Sequence, residues 1–309
     1  MITDLDITTH PCFNDSARHT FGRIHLPVAP RCNIQCNYCN RQTDCPNESR
    51  PGVTSKVLSP GQALYYLERV MALQPRISVV GIAGPGDPFA TPELTKETLR
   101  LVRDRYPELL LCVATNGLGL RSSIIRELAE LKVSHVTLTI NAVDAQVGKH
   151  IYAWVRDGRR VLRGEAAAAT LLERQLAAIK SLKEHDIIVK VNTVVVPDVN
   201  EVHAEEVART VAGLGANMQN CLSIYPVKGT PFEFVKPLRS EDMSHLRSQA
   251  SQHLPQMAHC TRCRADAAGL LGEDLSHSVQ NFLADAARQP VNPQEHRPYV
   301  AVASQEGIL

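Results

Sequence analysis

Arg31-Cys-Asn-Ile-Gln-Cys-Asn-Tyr-Cys-Asn40 is the stretch on which the fold and the chemistry turn. Cys32, Cys36 and Cys39 put three thiols on one short loop. A cubane of four irons held wholly by protein takes four thiolates. Three grip it firmly and leave one iron open to another ligand. Zinc is the plain alternative, but zinc favours a CxxC pair with a fourth Cys or His close by. The position of the loop, directly after a predicted first strand, favours the cluster.

Outward from the loop, strand and helix alternate. Strands are predicted at 21–28, 77–83, 109–114, 135–140 and 187–196, with a weaker one at 219–225. Helices are predicted at 60–71, 92–106, 122–131, 166–185 and 201–213. Six strands alternating with helices imply a parallel sheet with right-handed crossovers. That is two short of a closed eight-fold barrel, so the expected architecture is an α/β fold, a partial (β/α)6 barrel. The expected organisation is an N-terminal extension at 1–20, a barrel at 21–254 and a C-terminal extension at 255–309. Both extensions carry cysteines and are expected to cover the open mouth.

The unusual polar and glycine-rich motifs fall at or just after strand ends. Gly84-Pro-Gly-Asp-Pro88, Thr115-Asn-Gly117, Asn141 and Tyr225-Pro-Val-Lys-Gly229 all do so, and Asn192-Thr193 lies late in its strand. Parallel α/β folds build their sites at the carboxyl ends of strands. The motifs therefore converge on one face. There S-adenosylmethionine (SAM) can chelate the open iron through its amino and carboxylate groups. One-electron cleavage of its carbon–sulfur bond then gives methionine and a deoxyadenosyl radical that abstracts hydrogen. Gly84, Gly86 and Asp87 are candidates for meeting the methionine end of SAM, Asn192 for its ribose or carboxylate, and Thr115, Asn116 and Asn141 for binding the cofactor. A turn, or a merely structural Asn, is the plain alternative for each.

Composition narrows the class. The chain has 309 residues, is 44% hydrophobic and 21% charged, and carries a formal net charge of +1. This leaves no nucleic-acid or membrane footprint in the total. The start, Met1-Ile-Thr-Asp-Leu-Asp6, is too polar for a signal peptide, and a cytoplasmic location is expected. Nine cysteines in such a chain argue against a disulfide framework and for metal or catalytic use. Cys260-Thr-Arg-Cys263 is a CxxC pair that the lone Cys12 can complete; a redox dithiol or half a zinc site is the alternative. Arg262 and Arg264 lie in and beside the pair and would offset cluster charge. Cys45, Cys112 and the strand residue His25 are each unremarkable alone. With Cys221 set aside, eight cysteines and His25 make three sets of three ligands.

The chain resembles the NifB family of radical-SAM maturases, which build the eight-iron carbide precursor of the nitrogenase cofactor. The resemblance rests on His10-Pro-Cys-Phe13, the Arg31–Asn40 loop and Asp44-Cys-Pro-Asn-Glu-Ser-Arg-Pro-Gly-Val53. It continues through Gly84–Pro88, Thr115–Gly117, Ile140-Asn-Ala-Val-Asp144 and His259-Cys-Thr-Arg-Cys-Arg-Ala-Asp266. It implies that Cys32, Cys36 and Cys39 hold the SAM cluster. It implies that His25, Cys45 and Cys112 hold one [4Fe-4S] substrate cluster, and Cys12, Cys260 and Cys263 another. A SAM methyl group would pass to a cluster sulfide, and a radical from a second SAM would abstract hydrogen from it. The carbon would end as the central carbide of the fused product. Glu48 and Arg50 would handle protons or charge beside Cys45, unless they are a solvated loop. Cluster donors, a cofactor carrier and a low-potential electron donor are the implied partners. Residues 297–304 read as a strand, either the start of the carrier-like domain many relatives have or a terminal edge strand. Another multi-cluster maturase acting on a peptide, or a non-catalytic iron–sulfur scaffold, are the other readings.

Overall fold

The computed structural model describes residues 5–47, 49, 56–292 and 296. Glu48, Arg50 and the expected strand at 297–304 lie outside the described residues. In chain order the elements are β1 (Gly22–His25), β2 (Ile34–Cys36), α1 (Pro60–Leu73), β3 (Ile77–Ile82), α2 (Pro92–Arg105) and β4 (Leu110–Thr115). Next come α3 (Ser122–Glu130), β5 (Val133–Thr139), α4 (Ala145–Ile151), β6 (Tyr152–Asp157), β7 (Arg160–Leu162) and α5 (Gly164–Glu184). The chain continues through β8 (Ile188–Val195), α6 (Ala204–Ala212), β9 (Met218–Ser223), α7 (Ser240–Ala250), β10 (Ala268–Leu270), β11 (Glu273–Asp274) and α8 (Ser276–Ala286).

The main sheet runs β11-β10-β1-β3-β4-β5-β8-β9. From β1 to β9 every pairing is parallel, which makes the six-stranded partial barrel expected from the alternation. Strands covered on both faces read as near-continuous apolar runs. In β5 all seven residues are buried, and in β8 all but the first. Helices pack their apolar stripes on the outer face. In α1, Ser59 and Gln62 form a reciprocal cap, Pro60 opens the first turn, and Tyr66, Leu67 and Val70 face the core. Each such side chain contributes about 1.5–3 kcal/mol on burial.

The edges of the fold are where expectation and structure part. Residues 255–292 do more than cover a mouth: β10 pairs antiparallel with β1 and adds to the barrel's own edge. Behind it α8 lies against α1, where Gln62 Nε2 donates to the carbonyls of Ala287 and Gln289 at 3.3 and 2.8 Å. A separate sheet, β2-β6-β7, was not expected, and it anchors the cysteine loop. Its β6–β7 hairpin closes through Gly158 at φ +62°. Among the described residues no helix is long and apolar enough to cross a membrane.

Candidate functional site

Two adjoining cavities open at the carboxyl ends of the parallel strands, and Ala114 lines both. The smaller contains Cys32, Cys36 and Cys39, with Cys45, Asp87 and Asn116. Pairing of β2 with β6 fixes the first half of the loop. The second half is a turn in which Cys39 N–H donates to the Cys36 carbonyl at 3.1 Å. Burial pushes the Cys32 thiol up to about 12, with the Asp87 carboxylate adding to the rise. Cys36 is pushed up by burial and then by Cys39 and Cys32. Burial also raises Cys39, against the pull of Arg41. Three soft donors that repel one another as bare thiolates suit bound iron, which would hold them deprotonated. Among the described residues no three His, Cys, Asp or Glu converge on a single metal-ion position. A cubane presents its irons at separate corners, so its ligands stand around a volume and not around a point. Three soft thiol donors lining one buried cavity are the donor chemistry that an iron–sulfur cluster takes.

Gly86 has a reason different from the one the sequence suggested. A Cβ there would stand 2.0 Å from the Arg31 carbonyl oxygen. The close approach is to the chain's own backbone: Gly86 N–H donates to Ala29 and Asp87 N–H to Arg31, each at 2.6 Å. The glycine-rich stretch thus clamps the entry of the cysteine loop. Asp87 then accepts from Phe89 N–H, Thr115 Oγ1 and Asn116 N–H at 2.9, 2.9 and 2.7 Å. It ties the turn after β3 to the turn after β4. Asn116 reaches on to Asn33 Oδ1 at 2.7 Å, inside the cysteine loop.

Asn141 is buried with its amide committed within the protein. Its Nδ2 donates to Tyr38 Oη at 2.6 Å and its Oδ1 accepts from Val194 N–H at 2.8 Å. Tyr38 in turn donates to Asn47, whose carbonyl also accepts from Asn192 Nδ2 at 3.1 Å. This network holds the loop that carries Cys45. Asn192 itself lines the larger cavity.

The larger cavity has about 700 Å³ of space between its atoms, part of it open to solvent. His25, Cys112, Cys12, Cys260 and Cys263 all line it, brought from β1, β4 and both extensions. Cys45 lines the smaller cavity and not this one. Sheet register explains the placing of His25 and Cys112. His25, Gly81, Cys112 and His135 form one row across β1, β3, β4 and β5. Residues level in a parallel sheet point to one face. Gly81 is the bare position in that row, and the His25 ring lies over it; a Cβ there would be 2.9 Å from His25 Cδ2. His25 Nδ1 is 2.9 Å from the Arg264 carbonyl. A carbonyl only accepts, so the proton sits on Nδ1 and Nε2 is the basic nitrogen, the tautomer a metal-binding imidazole adopts.

Sequence reasoning named Arg262 and missed Arg23 and Lys190. Arg23, in line with His25 two residues on, is 2% exposed. It donates from Nε and Nη2 to Cys263 Sγ at 3.3 and 3.0 Å, and from Nη1 to Gly269 O at 2.6 Å. Lys190 lines the same cavity, with Nζ 5.0 Å from the Phe13 ring centre. Arg262 stacks on Tyr225 at 4.3 Å and donates to Ser223 O at 2.8 Å. A charge at an inward position of a buried strand was the signal available for Arg23 and Lys190. Cys221 is buried in a satellite apolar cluster with Met243 and Leu246, away from both cavities.

Comparison with known proteins places this arrangement. Residues 26–211 match the Radical SAM superfamily. Solved structures share the fold: Streptococcus suis SuiB bound to S-adenosylmethionine aligns at TM-score 0.54 and 15% identity, over 77% of this chain and 50% of that one. Methylornithine synthase aligns at TM-score 0.50 and 15% identity, over 89% of this chain and 85% of that one. The chain belongs to the radical SAM superfamily. It is 60% identical over 305 residues to the FeMo cofactor biosynthesis protein NifB of Chlorobaculum tepidum, covering 99% of this chain and 72% of that one. It is 45% identical to the proteins of that name from Klebsiella pneumoniae and Frankia alni, of which it spans 59% and 54%. Within the superfamily it is therefore a member of the NifB family.

Proposed function

We propose that the chain makes the eight-iron, carbide-centred precursor of the nitrogenase cofactor from two [4Fe-4S] substrate clusters and SAM. The observation that carries this reading is the pair of adjoining cavities. One is lined by the CxxxCxxC thiols. The other is lined by five soft donors gathered from distant parts of the chain. The name shared by the relatives, FeMo cofactor biosynthesis protein, supports it.

Cys32, Cys36 and Cys39 would hold the resident cluster, which when bound supplies the electron for cleavage of SAM. Thr115 and Asn116 stand at the cavity wall to orient SAM, and Asp87 fixes both. In the larger cavity Cys12, Cys260 and Cys263 would retain one substrate cluster. His25 and Cys112 would retain the other, with Cys45 reaching it from the junction. Three ligands per substrate, one an imidazole, give a hold that is firm and still reversible. Arg23, Lys190 and Arg262 offset the negative charge of iron–sulfur substrates, while Val79, Ile82, Leu222 and Met257 keep the walls apolar. The net reaction takes a SAM methyl carbon to the centre of the fused product by methyl transfer and hydrogen abstraction. Cluster donors, an electron donor and a product carrier in the reducing cytoplasm complete the scheme.

Iron and sulfide analysis of anaerobically reconstituted protein tests it. Three filled cubanes amount to about twelve irons per chain. Changing Cys32, Cys36 and Cys39 together to Ala should remove about four of them. Wild-type protein that saturates at one cubane defeats the reading.

A further inference from the structure

One polar atom at the larger cavity is left without an acceptor by the protein around it. His10 is 2% exposed and lines this cavity beside Cys12. The backbone N–H of Cys12 donates to His10 Nδ1 at 3.2 Å. An imidazole that accepts at one nitrogen carries its proton on the other. The His10 proton is therefore on Nε2, and Nε2 has no hydrogen-bond partner among the described residues. The ring is packed between aromatic neighbours. Phe13 meets it edge-on at 4.7 Å between centres, and His135 lies 4.3 Å away. A flip would forfeit the Cys12 bond. A buried N–H normally finds an acceptor, and the charged neighbours Arg23 and Lys190 are themselves donors.

We propose that His10 Nε2–H donates a hydrogen bond to a sulfide of the iron–sulfur substrate held at Cys12. This rests on the two-cavity reading above and adds a positioning residue to it. Sulfide is the fitting acceptor because the donors nearest in the chain and across the cavity are thiols, Cys12, Cys260 and Cys263. The bond fixes the orientation of the substrate and draws electron density from it, which raises its reduction potential.

The test uses protein in which Cys32, Cys36 and Cys39 are Ala, so that the iron present belongs to the larger cavity. The amide of Gln reaches the place of Nε2, whereas that of Asn reaches only the place of Nδ1. The measurements are an exchangeable-proton hyperfine coupling after transfer to deuterated water, the midpoint potential, and the rate of iron loss to a chelator. His10→Asn should lose the coupling, shift the midpoint to more negative potential, and shed iron on the order of 10-fold faster. His10→Gln should stay near the parent protein. The reverse ranking would show that His10 serves only to anchor the Cys12 turn, and would overturn the proposal. Absence of the exchangeable coupling in the parent protein overturns it whether or not the variants fold. A cavity that takes up no iron at all fails the underlying reading instead, and the iron count tells the two failures apart.

Discussion

At the scale of single residues, the sequence pointed to thiols and imidazoles because their chemistry is rare and their spacing informative. Beyond Arg262 and Arg264, it did not point to the groups around them. Arg23 joins Cys263 to the carbonyls of Gly269 and Leu270, at 2.6 and 3.2 Å for the carbonyls. No pattern in the sequence links position 23 to position 263; only the pairing of β1 with β10 does. Leaving a buried carbonyl without a donor costs about 1–3 kcal/mol. Arg23→Met should therefore lower the unfolding free energy of the metal-free protein by about 2–4 kcal/mol in urea titrations. A loss below about 0.5 kcal/mol would mean that these carbonyls find other donors. Asn141 teaches the converse. Its place after a strand suggested a ligand contact, yet its amide is spent on Tyr38 and Val194.

At the scale of elements, the alternation of six parallel strands and their helices was legible because continuous apolar runs and 3.6-residue periodicity are strong local signals. The short pieces were not. β10 has three residues, Ala268-Gly-Leu270, and owes its existence to an open edge on β1. The β6–β7 hairpin did carry a signal: its two-residue turn is Gly158-Arg159, and a glycine at the first turn position marks such loops. Register yields two predictions. Gly81→Ala puts a methyl group 2.9 Å from His25 Cδ2 and pushes the ring off the row it shares with Cys112. Pulsed electron paramagnetic resonance of reduced protein should then show the strongly coupled nitrogen lost, as it should be in His25→Ala. A nitrogen signal unchanged by either substitution would return His25 to a packing role. Gly86→Ala meets backbone and not a movable side chain, so it should cost on the order of 3 kcal/mol or more. A thermal unfolding midpoint equal to that of wild type would contradict the clamp on the cysteine loop.

At the scale of the whole molecule, the two cavities adjoin at Ala114 but take most of their thiols from different segments, and should fail independently. Cys36→Ala should abolish reductive SAM cleavage while iron in the larger cavity remains. Cys263→Ala should keep SAM cleavage and stop formation of the eight-iron product. Full product from Cys263→Ala would remove the CxxC pair from the scheme. The larger cavity also joins distant segments, since Cys12 and Cys263 line it together. During synthesis on the ribosome, β3, β4 and β5 can assemble on β1 well before residue 263 has left the exit tunnel. Until then β1 keeps an unpaired edge, and only part of the cavity lining is in place. If that cavity takes up clusters as proposed, its loading would follow the folding of the barrel strands. On that proposal, a cell that starves for iron is expected to accumulate folded, unloaded protein and not unfolded protein.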